Sequence, residues 1–153
     1  GTDPKTRFRL MREKIEAMKA IWTETKPKYD GEFVKFSEMM TSPKPVQKPH
    51  PPVIVGGAFP YGARRAIRFG DGWIPLGGGR GVDIPTQIPH FRQMAAEAGR
   101  NPDDIEISVF AARPVEEELK KLQGAGVSRV TFDLPSAPLD EILPLLDKLA
   151  KMI

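Results

Sequence analysis

From residue 51 onward the chain alternates short apolar runs with amphipathic segments, and this rhythm limits the available folds more than any other feature. Residues 52–55 are an apolar run ending in Gly56-Gly57, which predicts a buried strand. Residues 60–69 predict a helix stopped by Gly70, and residues 72–76 a second strand. Residues 85–98 predict a helix with Ile88, Phe91, Ala95 and Ala98 on one face and Gly99 at its end. Residues 105–110 form a third apolar run, followed by a predicted helix over 114–123 with Val115, Leu119 and Leu122 facing inward. Residues 127–132 predict a fourth strand. Residues 139–152 predict a last helix with Ile142, Leu146 and Leu149 as its core face, and Pro144 should kink it or mark a late start. Strands that alternate with helices imply parallel βαβ units, hence an α/β fold.

The preceding part is of another kind. Asp3-Pro4 is a helix-start pattern, with a capping side chain before a proline at the first helical position. Phe8, Met11, Ile15, Met18 and Trp22 then recur at three- and four-residue steps, one apolar face of an amphipathic helix, with Arg12 and Glu16 as an i,i+4 pair on the wet side. Residues 23–50 carry Pro27, Pro43, Pro45 and Pro49, which exclude a helix. Asp30-Gly31 stands between Tyr29 and Phe33 and predicts a short hairpin or an extended excursion. Met39 and Met40 close it, packing the loop or lining a substrate mouth. The expected organisation is a single domain over 1–153: a leading helix (1–22), a proline-rich excursion (23–50) and four βα units (51–153).

Four parallel strands with covering helices make either a small open sheet or half of a closed barrel. A complete (β/α)8 barrel of the TIM type takes about 250 residues, and this chain has 153. The strands are short, as barrel strands often are. The expected fold is therefore about half a TIM barrel, whose open strand edges require a partner.

Composition narrows the function. Charged residues are 28% and hydrophobic ones 40%, an ordinary soluble balance. No apolar run approaches a membrane span, and the polar start Gly1-Thr2-Asp3-Pro4-Lys5 has no secretory character. Cysteine is absent, which removes disulfides, thiol catalysis and thiolate metal sites and fits a cytoplasmic location. The net charge of +3 comes from basic residues interspersed with acids, so no nucleic-acid stripe forms, although the excess suits an anionic cofactor.

The residues that suggest chemistry are few. Gly56 and Gly57 at a strand end, leading into a helix, let backbone approach a ligand and offer free N–H groups to a phosphate; a tight turn without a ligand uses the same residues. Arg64 and Arg65 follow within two helical turns and suit either a phosphate or a solvated helix face. Gly77-Gly78-Gly79-Arg80-Gly81 is no Walker loop, since no Gly-Lys-Ser/Thr follows; Arg80 is a candidate for an anionic cofactor tail or a substrate. His50 and His90 have no ligand spacing and no orienting partner, so neither a metal site nor a catalytic histidine is expected. Glu116, Glu117 and Glu118 suit the start of a helix dipole.

An ordered set of stretches then carries a resemblance. Residues 12–22 (Arg12-Glu13-Lys14-Ile15 through Trp22), Tyr29-Asp30-Gly31-Glu32-Phe33, Pro43-Lys44-Pro45-Val46-Gln47, residues 50–57 ending in Val55-Gly56-Gly57, Asp71-Gly72-Trp73-Ile74-Pro75 and Ala98-Gly99-Arg100-Asn101-Pro102 follow one another along nearly the whole chain. Together they resemble the C-terminal half of the bacterial luciferase-like monooxygenase family, which includes F-420-dependent members. The resemblance implies a barrel with its cofactor at the C-terminal ends of the strands. It implies that Gly56 and Gly57 lie by the cofactor phosphate, with Ile74 and Pro75 near it, while Trp73 and Asp71 are read as a core aromatic and a turn residue. The implied cofactor is the deazaflavin coenzyme F-420, with FMN as the alternative, acting as an oxidoreductase or monooxygenase on a small organic molecule. The family's acid/base residues lie in the N-terminal half, so this chain alone is expected to be inactive and to associate with such a half or with a second copy. Two rival readings are a non-catalytic half-barrel module that homodimerises through its open edges, and an open-sheet regulatory domain.

Overall fold

The computed structural model describes residues 3–77 and 83–152, and the chain divides into two compact units between Val53 and Ile54. The first unit is one helix and a hairpin: α1 (Arg7–Thr23), β1 (Tyr29–Asp30) and β2 (Lys35–Phe36). The helix begins later than its Asp-Pro pattern predicts. The Asp3 carboxylate accepts from the Lys5 amide at 2.9 Å and the Thr6 amide bonds to the Asp3 carbonyl, so residues 4–6 form a turn before the helix. The buried positions of α1 are Glu13 and Ala17, whereas Phe8 and Met18 of the predicted apolar face are exposed.

The physical reason is an ion that the apolar periodicity ignores. β1 and β2 pair antiparallel, Tyr29 opposite Phe36, around a turn closed by a bond from the Gly31 amide to the Val34 carbonyl. That turn points its amides at Glu13, whose carboxylate accepts from Glu32 (3.1 Å), Phe33 (2.7 Å) and Val34 (3.1 Å). A buried carboxylate survives only when so satisfied. The Tyr29 hydroxyl donates to Glu16 at 2.6 Å, which pushes the phenol up to about 12, and Arg12 pairs with Glu16 at 3.5 Å as the i,i+4 spacing predicts. The Lys44 ammonium donates to the carbonyls of Ile21 and Glu24 and so closes the C-terminal end of α1.

The second unit contains β3 (Ile54–Gly56), α2 (Tyr61–Phe69), β4 (Gly72–Ile74), α3 (Ile84–Glu97), a 3-10 turn (Pro102–Asp104), β5 (Glu106–Val109), α4 (Glu116–Gly124), β6 (Arg129–Val130) and α5 (Leu139–Ala150). The four strands are parallel and lie in chain order, β3-β4-β5-β6, with no reversal. An open doubly wound sheet has such a reversal at its ligand crevice. Successive right-handed crossovers in one direction lay their helices on one side, and α2 contacts α3 as α3 contacts α4.

Register fixes which side chains face the helices. Val55 is opposite Trp73 and Trp73 opposite Ile107, and all three are buried. Trp73 stacks on Phe91 of α3 at 5.1 Å, and Ile88 and Ala95 complete that buried stripe as their spacing predicts, although Ala98 is exposed. The alternate positions Ile54, Gly72 and Glu106 line up on the other face, where Ser108 donates to Glu106 at 2.6 Å and Arg129 pairs with it at 3.4 Å. Arg100 donates to the carbonyls of Ile67 (3.0 Å) and Gly70 (2.7 Å), which stitches the end of α2 to the segment before β5.

The last third departs from expectation. Val115 and Leu146, expected to face a core, are exposed; neither α4 nor α5 has a buried residue, and β6 keeps only two of the six predicted strand positions. An amphipathic pattern reports that a face needs cover, not that the same chain supplies it.

Two outcomes test this account. Glu13 is held below the usual carboxylate range, above all by the Phe33 amide, with burial pulling the other way and the Val34 and Glu32 amides and Arg12 assisting. Its stabilisation of the turn is therefore complete above the ordinary carboxylate pKa and is lost as pH falls through the depressed value. Hydrogen-exchange protection of the Glu32, Phe33 and Val34 amides should fall on acidification in the parent, and should be low already at neutral pH in Glu13→Gln; equal protection in the two at neutral pH refutes the role. Phe91→Ala should cost the second unit about 3–5 kcal/mol in chemical denaturation, as for a fully buried aromatic; a loss below 1 kcal/mol would contradict the stacked core.

Candidate functional site

The strand β3 ends at Gly56, and the chain reaches α2 through Gly57, Ala58, Phe59 and Pro60. Gly57 has φ of +129°, a conformation that residues with a Cβ rarely adopt. A Cβ there would lie 2.6 Å from Nη2 of Arg65. At Gly62, in the first turn of α2, a Cβ would run into the Gly57 carbonyl, so the helix packs against the turn backbone to backbone.

Four carbonyls along this stretch, those of Gly56, Gly57, Ala58 and Pro60, are bound from the protein side. The Gly56 oxygen accepts from Arg65 Nη2 at 3.3 Å, and the Gly57 oxygen from the indole Nε1 of Trp73 at 2.9 Å. The Ala58 oxygen accepts from the Gly62 amide at 2.6 Å and the Pro60 oxygen from the Arg64 amide at 3.0 Å. The Gly57 amide bonds to the Ile74 carbonyl at 3.4 Å, which ties the turn to the end of β4. The amides of Ala58 and Phe59 have no protein acceptor among the described residues. They precede a nine-residue helix, whose N-terminus adds positive potential. Both amides also belong to peptide groups whose carbonyls already accept a hydrogen bond, which polarises the N–H.

The predicted residues fall out as follows. Gly56, Gly57 and Ile74 meet at this turn, Gly56 exposed and Ile74 half-buried. Pro75 follows on β4 with its ring fully buried and its carbonyl accepting from Phe110. Arg80, with its glycine-rich neighbours 78, 79 and 81, lies outside the described residues. Trp73 is the core aromatic its pattern suggests, and its indole N–H has the further task of holding the Gly57 carbonyl. Arg64 is exposed, its guanidinium 6.0 Å from the Tyr61 ring. His50 lies by Trp22 in the first unit and His90 is exposed on α3. Glu116, Glu117 and Glu118 pair with Lys120, Lys121 and Arg113 on the surface of α4. Among the described residues no group of three His, Asp or Glu side chains is gathered for a metal ion.

Sequence reading passed over Gly62 and left Arg65 undecided. The signal for Gly62 was available: a small residue in the first turn of a helix entered from a glycine turn permits close helix–strand packing, as the third glycine does in dinucleotide-binding turns. Leu76 and Phe110 were also passed over; they bridge β4 and β5 beyond their strand ends, and Phe110 is 49% exposed.

Comparison with known proteins gives the family. The luciferase-like monooxygenase family matches residues 1–123. An uncharacterized protein of Mycobacterium tuberculosis is 38% identical over 157 residues, covering 98% of this chain and 52% of that protein. The FMNH(2)-dependent dimethylsulfone monooxygenase of Pseudomonas putida is 34% identical over 117 residues, covering 74% of this chain and 31% of the enzyme. The F420-dependent glucose-6-phosphate dehydrogenase of Nocardia farcinica is 34% identical over 104 residues, covering 67% of this chain and 30% of the enzyme. In structure, the monooxygenase RslO1 from Streptomyces bottropensis superposes with a TM-score of 0.73 at 18% identity, covering 99% of this chain and 62% of its own. The chain thus spans about half the length, or less, of the curated relatives it matches. With the family matched over most of its length and the fold matched over nearly all of it, the chain belongs to the luciferase-like monooxygenase family.

Proposed function

We propose that this chain is the cofactor-phosphate half of a luciferase-like (β/α)8-barrel oxidoreductase. The observation that carries the reading is the turn at Gly56-Gly57, whose carbonyls are engaged while the Ala58 and Phe59 amides have no acceptor among the described residues. A phosphate group is the ligand for which such a turn is suited: small, anionic and able to accept from backbone. FMN and F-420 both carry a phosphate beyond the ring system, and relatives bearing each dependence match this chain. The Gly57 conformation and the glycine contact at Gly62 fit that group, because side chains there would occupy or displace the cradle.

When bound, the flavin or deazaflavin supplies hydride transfer or oxygen activation toward a small organic substrate. The chain's own part is to hold and orient. Gly56 and Gly57 let the backbone approach, Ile74 fixes the turn to β4, and Pro75 keeps the following backbone rigid beneath it. Of the two cofactors, F-420 is the first choice and FMN the alternative. Arg80 is assigned to the cofactor tail or substrate side on sequence grounds alone.

The same reading accounts for the uncovered faces. Four strands in chain order are half of an eight-stranded barrel. On α5, Leu139 is 70% and Leu143 49% exposed, and a groove of about 640 Å³ between α4 and β6 is lined by Leu119, Leu122, Val130, Phe132 and Met152. The occupant is the other half of the barrel, which in the matched relatives lies in the remaining length. That half would also carry the acid/base groups, so the chain by itself is expected to bind but not turn over.

Fluorescence titration of the purified chain with FMN and with F-420 tests the assignment. Saturable binding of at least one, weakened tenfold or more by Gly57→Val, is expected; failure of both cofactors to bind refutes it. Sedimentation of the free chain separates the rival module: a tight homodimer that binds neither cofactor favours dimerisation through the open edges over the enzyme reading.

A further inference from the structure

We infer that Arg65 is a positioning residue for the phosphate site, supplying its fixed positive charge from beside the glycine turn. The inference rests on the assignment of that turn to a cofactor phosphate and goes one step further, naming the side chain that makes the site selective for a charged ligand.

Three observations converge on Arg65. Its guanidinium reaches back from α2 across nine residues to donate to the Gly56 carbonyl at 3.3 Å. The same guanidinium lies where a Gly57 side chain would be, with Nη2 at 2.6 Å and Cζ at 3.8 Å from the position of a Cβ. Its side chain is half-buried, whereas Arg64 and Arg68 on the same helix are exposed. The backbone angle requires glycine at position 57, and any side chain there would displace the Arg65 guanidinium from its place.

The electrostatic consequence follows from the placement. An arginine side chain stays charged at all ordinary pH values. Held against the turn on a half-buried side chain, its field reaches an anion at the turn with somewhat less screening than that of a fully exposed arginine. The guanidinium also fixes the Gly56 carbonyl, so the turn cannot present that oxygen to an approaching anion. Arg65 thus does two things for one ligand, adding charge and removing a repulsive acceptor. Arg64, pointing toward the Tyr61 ring, does neither.

The experiment compares ligands that differ by the phosphate, FMN against riboflavin and F-420 against its phosphate-free deazaflavin core, in the parent chain, Arg65→Gln and Arg65→Lys. Binding is read by ligand fluorescence at low and high salt, with folding of each variant checked by circular dichroism and thermal melting. The parent should bind the phosphate-bearing ligand more tightly. Arg65→Gln should lose roughly tenfold or more on that ligand, the worth of a charge-assisted contact, with the phosphate-free ligand unchanged within twofold and the salt dependence reduced. Arg65→Lys should recover part of the loss. If Arg65→Gln keeps the parent's phosphate preference, or weakens both ligands equally, Arg65 has no such role and the inference fails. If the parent itself shows no phosphate preference, the underlying assignment of the turn fails instead. Should Arg65→Gln not fold, Arg65→Met decides in the same way: an unaltered phosphate preference and unaltered salt dependence would overturn the inference.

Discussion

The indole N–H of Trp73 holds the carbonyl of Gly57, and the geometry of the candidate site depends on that bond. Trp73 is fully buried between the sheet and Phe91, so its ring cannot shift without opening the core. Its donor therefore sits at a fixed point and draws the Gly57 carbonyl inward. Because a peptide plane is rigid, fixing that oxygen also fixes the Ala58 amide on the opposite side of the plane. Core packing in this way sets the direction of a backbone donor that the core never touches. A turn residue at positive φ costs conformational energy in any residue but glycine, and here that position precedes an amide without a protein acceptor among the described residues.

The rest of the second unit supports the same point from other directions. β4 lends the Ile74 carbonyl to the Gly57 amide, α2 lends Gly62 and Arg65, and Arg100 ties off the far end of α2. The turn is thus held from two elements, β4 and α2, each through more than one contact. Burial declines along the sheet: β3, β4 and β5 carry the buried core, whereas β6, α4 and α5 carry exposed leucines and a lined groove. The glycine turn thus stands on the well-packed side of the unit, and the exposed leucines lie toward the β6 edge of the sheet.

Much of the fold was legible because its elements obey strong local periodicities. The α2 boundaries are set by Pro60 and Gly70, and the Ile88–Phe91–Ala95 stripe is buried as its spacing requires. What was not legible involved pairings between distant residues. Glu13 looks like a solvated helix charge until a hairpin about twenty residues on aims three amides at it. Arg100 looks like part of a loop motif until it reaches carbonyls some thirty residues back. For the candidate site, Gly56 and Gly57 were visible as residues that only a special backbone needs. The parts played by Trp73, Gly62 and Arg65 depend on which atom meets which, and composition and spacing carry no such information. The expected inward faces of α4 and α5 were misread for a simpler reason: amphipathicity predicts that a face is covered without saying by what.

The central claim is that the Ala58 and Phe59 amides, oriented by Trp73 and Gly62, receive a phosphate. A crystal structure of the chain soaked with FMN tests it most directly. The account expects the phosphate to accept hydrogen bonds from both amides, with the Trp73–Gly57 bond intact. A phosphate bound elsewhere on the chain, with these two amides turned to solvent in the same crystal, would contradict it.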